Sequence, residues 1–375
     1  MDLGLTEEQQ MLRDFARDFL EKECLESYVR EMEGDARGYS PSVWSRMAEQ
    51  GWTGLIVPEQ YGGVGMGFLD LMVLIEEFGR ALVPGPFITN CVATLGIMEA
   101  ASESQKQAWL PAIASGQQIW ALAFTEPSAR FDAEGIALTA TRDGESYVLN
   151  GTKLFIRASQ VAERLLVVAR TGDAGEDGIS LFAVDANAKG VTHTPLATIA
   201  SDKQNAVRFE DVRVPTTDRL GEEGSGWPAF QRLGLKATVL ECAYLVGLSQ
   251  MAFEITLNYT KERTQFDRPI ATFQAMQHMA ANMVTDVDAS RYITYKAACA
   301  IDENDPDAEE DVHVAKAWVS EASRRVVARA QEMHGGIGFT RDYKIQLFYR
   351  RQKAAELAWG DAEYHRERVG EKLGI

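Results

Sequence analysis

The residues in this chain that could do chemistry are spread thinly, and their spacing favours ligand binding over metal or nucleophilic catalysis. The five histidines, His193, His278, His313, His334 and His365, form no HxxxH or HExxH pair, so the two-imidazole helix face that holds a zinc ion is missing. Cys24, Cys91, Cys242 and Cys299 stand far apart and include no CxxC pair, which argues against a disulfide framework or zinc site and for a reducing, cytoplasmic setting. What remains are hydroxyl, guanidinium, aromatic and glycine positions. Thr125, in LAFTEP, ends a strand-like run where its hydroxyl either shapes a turn or meets a ligand. Gly335 and Gly336, in QEMHGG, permit close approach of a backbone to a ligand or simply end a helix. The stretch AAELAWGDAEYH, residues 354–365, breaks a charged helical C-terminus with a Trp-Gly-Asp corner; it is either a helix break or an altered active site.

These residues need a scaffold, and the chain has the means to build one. Its 375 residues are 46% hydrophobic, enough for two to three cores at about 150 residues per domain. A formal net charge of −17, with no Lys/Arg-rich run, repels a phosphate backbone and excludes nucleic acid as a partner. The start, MDLGLTEEQQMLRDFARDFL, has no basic region before an apolar core, and no run approaches the roughly 20 apolar residues of a membrane span. Neither a secretory leader nor membrane insertion is expected.

TEEQQMLRDFARDFLEKE places Met11, Leu12, Phe15, Ala16, Phe19 and Leu20 at helical spacing behind Thr6 as N-cap. Helical patterns continue in PSVWSRMAEQG, FLDLMVLIEEFGRAL and ESQKQAWLPAIASG. After Gly116 the pattern changes to alternation around Asp143-Gly144 and Asn150-Gly151, two hairpin-turn signals. Strand-like runs RLLVVART, GISLFAVDA and NAVRFEDVRVP follow. With no helices between them, an antiparallel meander closed into a small barrel or sandwich fits better than a doubly wound parallel sheet. Helical periodicity returns near 227–261, 270–302, 308–334 and 341–358, with the acidic turn DENDPDAEE between two of these segments. The expected fold is α+β, mostly α: an N-terminal α-helical domain (1–116), a middle antiparallel β-barrel domain (117–226) and a C-terminal four-helix bundle (227–375).

Five motifs then stand in order: PEQYGG at 58–63, AFTEP at 123–127, YVLNGTKLFI at 147–156, RTQFDRPIATFQ at 263–274 and QEMHGGIGFT at 331–340. In order and approximate spacing the chain resembles the acyl-CoA dehydrogenase family over nearly its whole length. The resemblance implies a tetramer built around FAD that catalyses α,β-dehydrogenation of an acyl-CoA thioester. A base takes the α-proton, the β-hydride passes to the flavin, and electrons leave to an electron-transferring flavoprotein. The thioester acidifies the α-carbon, and hydrogen bonds to its carbonyl stabilise the developing enolate.

Carried residue by residue, the resemblance places Thr125 against the flavin ring and Phe155 over the isoalloxazine. Arg263 and Gln274 reach the diphosphate and adenosine of a neighbouring subunit's FAD, with Phe266 beside them; Gln331, Gly335 and Gly336 approach the same FAD. Asp361 matches the family's Thr beside the flavin, and from its sequence position it could equally cap the helix that follows.

The pattern also departs from the family. Trp359 stands where many members hold the catalytic Glu, and an indole takes no proton. The alternative position on the first C-terminal helix is Ala237, and Glu241, one turn on, is the remaining candidate base. Arg130-Phe131 replaces the usual Gly-Ser, and Arg157 replaces a Thr or Ser. The matches serving a neighbour's cofactor are thus better kept than those serving the chain's own. That asymmetry, with the C-terminal form RRxKAxExxxGDAxxHRxR, resembles one subunit type of heteromeric acyl-CoA dehydrogenases of steroid side-chain degradation. The primary expectation is an acyl-CoA dehydrogenase; the alternative is a non-catalytic, cofactor-completing subunit of a heterotetramer. Oxygen-using or desulfinating chemistry on the same fold is a third possibility.

Overall fold

Helix α1 (Glu7–Glu23) begins at Thr6, whose Oγ1 accepts from Gln9 N at 3.2 Å while Thr6 N donates to the Gln9 side chain at 3.1 Å, a reciprocal box that satisfies two orphan donors. Ala16 and Leu20 are buried along it, whereas Met11 and Phe15 of the same apolar stripe are exposed. The computed structural model describes residues 4–173 and 175–375. After α1 come α2 (Glu26–Gly34), α3 (Pro41–Glu49), α4 (Phe68–Ala81), α5 (Phe87–Ala100) and α6 (Glu103–Ala114). The strands are β1 (Trp120–Ala123), β2 (Thr139–Asp143), β3 (Ser146–Arg157), β4 (Arg164–Arg170), β5 (Ile179–Asp185), β6 (Val191–Leu196), β7 (Gln204–Pro215) and β8 (Arg219–Leu220). The remainder is α7 (Gly226–Glu262), a hairpin of β9 (Thr264–Gln265) and β10 (Arg268–Pro269), α8 (Gln274–Asp302), α9 (Ala308–His334), α10 (Ile345–Leu357) and α11 (Ala362–Leu373).

Packing divides the chain into two units. One joins Glu31–Met66 to Pro84–Lys236. Its sheet runs β6-β7-β3-β2-β4-β5-β8, with β1 also paired to β4. The expected antiparallel barrel is corrected here: among the described residues the path is open, and β4 pairs in parallel with β1 and at one point with β2. The physical reason is that the β2–β3 hairpin lies between β1 and β4 in the chain and supplies the long crossover that parallel neighbours need. Strand alternation carries no information on pairing direction. Buried in all five interior positions, β4 reads as a central strand covered on both faces.

Of the two expected turns, Asp143-Gly144 forms one, with Asp143 opposite Ser146. Asn150-Gly151 does not: it lies inside β3, where the register to β7 shifts between Leu149 and Gly151. Gly151 has φ +148°, and a Cβ there would come within 2.9 Å of Leu138. A glycine in a strand marks either a turn or a bulge, and here close backbone approach selects the bulge.

The second unit holds the chain up to Arg30, Gly67–Val83 and Ala237–Ile375. Within it α4 and α7 cross at two glycines: a Cβ on Gly79 would lie 2.1 Å from Tyr244 O, and one on Gly247 would lie 1.8 Å from Glu76 O. Helices α8 and α9 pair along their lengths, α10 and α11 pack on α9, and α1 and α8 pack on α4. The four helical segments expected here are α7 to α10, and α11 follows the Trp-Gly-Asp corner. All four cysteines are free thiols. Among the described residues no helix is long and apolar enough to cross a membrane.

Candidate functional site

In the sheet-bearing unit, the loop after β1 is fastened to β3. Leu154 N donates to Thr125 O at 2.8 Å. Next to Thr125, the buried Glu126 accepts from Ala137 N at 2.9 Å and Leu138 N at 3.0 Å, and from Lys153 Nζ at 2.6 Å. Lys153 Nζ donates also to Phe124 O at 3.0 Å. Lys153 is 0% exposed, and burial pulls its ammonium down to about 8 against the upward pull of Glu126. The register between β3 and β7 slips again between Lys153 and Ile156, which leaves Phe155 at φ +56° and 55% exposed. A bulky side chain in the left-handed region is strained by about 1–2 kcal/mol, and a bulge is how a strand re-aims one residue out of its ladder. Thr125 is half-buried, and its hydroxyl makes no hydrogen bond among the described residues. The unit therefore presents an open aromatic face and an available hydroxyl on segments fastened to one another. Arg130, one of the departures, is spent locally on Asp132 and Glu134 at 2.7 and 2.8 Å.

In the helical unit, the ends of α7 and α9 meet through a ring stack. Tyr259 and His334 lie 4.3 Å apart at 27°, and both approach the Tyr343 ring. His334 Nδ1–H donates to Ala330 O at 2.7 Å, and burial holds its pKa below the usual imidazole range, so a neutral ring faces Tyr259. This stack brings Arg263, one turn past Tyr259, to the same end of the unit as Gly335 and Gly336, which follow His334.

Arg263 is exposed, and among the described residues its guanidinium has no carboxylate partner. Phe266 and Asp267, at φ +54° and +62°, form the tip of the β9–β10 hairpin, where Phe266 is 87% exposed. Phe266 and Phe273 meet edge-on at 6.0 Å, and Gln274 opens α8 with its side chain exposed. Gly335 and Gly336 are exposed, with no atom within 4 Å of an added Cβ. Gln331 instead turns inward: it is 7% exposed, and Nε2 donates to Gly338 O at 3.1 Å, anchoring the glycine loop from beneath. A free guanidinium and an open glycine backbone at one end of the unit suit a phosphate-bearing ligand.

The Trp-Gly-Asp corner is a built feature. Trp359 is half-buried at φ +62°, and Gly360 follows at φ +97°, where a Cβ would strike the Tyr364 ring at 2.3 Å. Asp361 caps α11 through Oδ1, accepting from Glu363 N at 3.1 Å and Tyr364 N at 3.0 Å. His365 Nε2 lies 2.9 Å from Trp359 O, and its Nδ1 lies 2.8 Å from His313 Nδ1. Lys316, 0% exposed, donates to Ala355 O and Glu356 O at 2.9 and 3.0 Å, satisfying carbonyls at the end of α10. Ala237 and Glu241 are both interior, at 0% and 2% exposed. Glu241 and Lys316 act with opposite sign on the Cys242 thiol, which burial pushes up to about 12.

Several of these residues escape a reading of the sequence. Glu126 and Lys153 sit inside AFTEP and YVLNGTKLFI, and two opposite charges, the single charge of each motif, were the available signal. Tyr259, His313 and His365 gave none, because their partners lie tens of residues away.

Comparisons with known proteins agree with the order of motifs. The model of the acyl-CoA dehydrogenase N-terminal domain matches residues 6–117, that of the middle domain 121–212 and that of the C-terminal domain 224–374. The chain is 31% identical to the short-chain specific acyl-CoA dehydrogenase of Clostridium acetobutylicum over 382 residues, covering all of both. It is 32% identical to subunit CarC of the caffeyl-CoA reductase-Etf complex of Acetobacterium woodii, over 92% of each. Its fold superposes on butyryl-CoA dehydrogenase of Megasphaera elsdenii with a TM-score of 0.92 at 28% identity, each chain being fully covered.

Proposed function

Because this chain belongs to the acyl-CoA dehydrogenase family, FAD-dependent oxidoreductases acting on CH–CH bonds, we propose that it catalyses α,β-dehydrogenation of an acyl-CoA thioester to the 2-enoyl-CoA and passes the electrons to an electron-transferring flavoprotein. We read it as three segments, 1–116, 117–226 and 227–375, with α7 to α10 as the four helices of a C-terminal bundle, assembled in the cytoplasm as a tetramer. The observation that carries the reading is Phe155, an exposed aromatic held in left-handed backbone beside an available Thr125 hydroxyl.

The residues fit FAD. A planar ring system calls for a flat apolar cover and a polar contact, which Phe155 and Thr125 offer. A diphosphate calls for cationic and backbone donors in open space, which Arg263, Gly335 and Gly336 offer. When bound, FAD supplies the acceptor for the hydride leaving the β-carbon. Thr125 would bond the flavin ring, Phe155 would cover it, and Asp361 would sit beside it. Arg263, Phe266, Gln274, Gly335 and Gly336 would hold the diphosphate and adenosine end of a neighbouring copy's FAD, with Gln331 supporting the glycine loop. Trp359, at the position where many members hold their base, moves no proton. Glu241, interior in the helical core with Lys316 and Cys242, is the remaining candidate for the base that would take the α-proton.

The experiment is anaerobic titration of the purified yellow protein with saturated acyl-CoA esters of short, long and ring-bearing chains. Bleaching of the visible flavin band, restored by electron-transferring flavoprotein, is the expected result. Flavin that no acyl-CoA bleaches would refute the proposal. The cofactor-completing alternative is not favoured by relatives named as a short-chain specific acyl-CoA dehydrogenase, matched over its whole length, and as a subunit of a caffeyl-CoA reductase-Etf complex, matched over 92% of it; it predicts colour only on co-expression with a related subunit.

A further inference from the structure

The two buried histidines of the helical unit carry an inference beyond this reading. His365 Nε2 and Trp359 O are 2.9 Å apart, and a carbonyl only accepts, so Nε2 carries the proton. The neutral His365 ring then has a lone pair on Nδ1. His313 Nδ1 lies 2.8 Å from His365 Nδ1, so the proton between the rings belongs to His313. The chain of donors runs one way, from α9 through His313 and His365 to the carbonyl of Trp359. That carbonyl belongs to a residue at φ +62°, a conformation that persists only where the surroundings enforce it.

We propose that His365, locked in its Nε2–H tautomer by His313, is a positioning residue that sets the Trp359–Gly360–Asp361 corner, and that the lock makes the corner insensitive to pH across the physiological range. A second proton on His365 would have to enter at Nδ1, against the Nδ1–H of His313. The other charged groups facing the ring are Lys316 and Arg368, both cationic, and burial together with these charges holds His365 down to about 2. His313 faces Glu309, Arg368, Lys372 and Glu371, and burial lowers it as well. A proton arriving there goes to Nε2, 3.9 Å from Glu309, and leaves the Nδ1–H of the lock in place. The inference rests on the proposed function only in taking this corner as part of the active site.

The test uses the full-length, FAD-loaded protein. Nitrogen-15 histidine NMR of the unaltered chain is expected to show His365 protonated at Nε2 alone and His313 at Nδ1, from about pH 5.5 to about pH 8.5. With 5-fluorotryptophan label, the Trp359 fluorine resonance, assigned by W359F, is expected to stay fixed over that range. In H313L the Nδ1 of His365 loses its donor while burial, Lys316 and Arg368 still keep the ring neutral, so the nitrogen-15 shifts of His365 are expected to move toward a mixture of the two neutral tautomers. H365F is expected to move the resonance and lower kcat about tenfold with KM changed less than about twofold. H365Q keeps a donor for the carbonyl and an acceptor for His313, and should restore both. A His365 found as the Nδ1–H tautomer in the unaltered chain, a tautomer ratio in H313L that stays that of the unaltered chain, or H365F and H365Q behaving alike would each overturn the inference. The unaltered chain, H313L and H365Q keep the test decisive if H365F does not fold. Intact NMR signatures in a protein that no acyl-CoA bleaches would refute the proposed function and leave the lock standing.

Discussion

Lys153 Nζ lies 2.6 Å from Glu126 Oε1, and the two side chains are 0% and 4% exposed. The pair joins the loop that carries Thr125 to the strand that carries Phe155, and Lys153 adds a bond to Phe124 O. Desolvation of two charges is costly, so such a pair is a poor source of net stability but strongly penalises the loss of one partner. E126Q leaves a buried ammonium without its counter-charge and should cost about 3 kcal/mol or more. K153M leaves a carboxylate still bonded to Ala137 N and Leu138 N and should cost less. Urea unfolding should rank stability as wild type, then K153M, then E126Q, with FAD retention falling in the same order. The two variants in reverse order would show that the pair does not fasten this loop.

The same lysine gives a pH signature. Its folded-state pKa is depressed from 10.5 to about 8, first by burial. Between those values the unfolded chain holds a proton that the folded chain has released, so this group's contribution to stability rises with pH across that window. The charged ammonium imposes its cost below about pH 8, and the cost fades above it. The stability of wild type relative to K153M should therefore increase from pH 8 to pH 10, by about 2 kcal/mol. A difference that is flat or falls over that interval would contradict a depressed lysine.

The helices and most of the strands were legible because each is written in local periodicity and capping. Thr6 and the apolar spacing behind it announce α1, and alternation around Asp143-Gly144 announces β3. Pairing direction was not legible, since β1 meets β4 across some forty intervening residues and nothing in either strand encodes a parallel neighbour. Asn150-Gly151 misled because the dipeptide serves turns and bulges alike. β6 (VTHTPL) was not among the strand-like runs, and its proline is one that an edge strand tolerates. Within the candidate site, Thr125, Phe155, Arg263 and the two glycines came from motifs. The strain at Phe155, the inward turn of Gln331 and the His313–His365 contact needed coordinates, because each depends on backbone φ or on a partner distant in sequence.

Phe155 should show a trade between stability and function. It is 55% exposed and at φ +56°, so F155G gives up little buried surface and relieves backbone strain worth about 1 kcal/mol, partly offset by the greater freedom of an unfolded glycine. Its thermal midpoint should match or exceed that of wild type, while FAD binding weakens. A variant that loses stability and keeps FAD would show that Phe155 is a packing residue.

Arg263 should behave in the opposite way to a structural arginine, since it is exposed and makes no ion pair among the described residues. R263A should leave stability within about 0.5 kcal/mol of wild type and lower FAD retention. R263K should recover only part of the loss, because a point charge lacks the bidentate fork. The proposed assembly makes a sharper demand. If Phe155 serves the chain's own flavin and Arg263 a neighbour's, a dimer of one F155G chain and one R263A chain has one site with both defects and one with neither. Co-expressing the two variants, each poor in FAD alone, should then restore about one site in four by random pairing about a two-fold axis. Flavin content no higher than the mean of the separate variants would mean that both side chains act on the same subunit's cofactor, and the placement of Arg263 across a subunit boundary would fall.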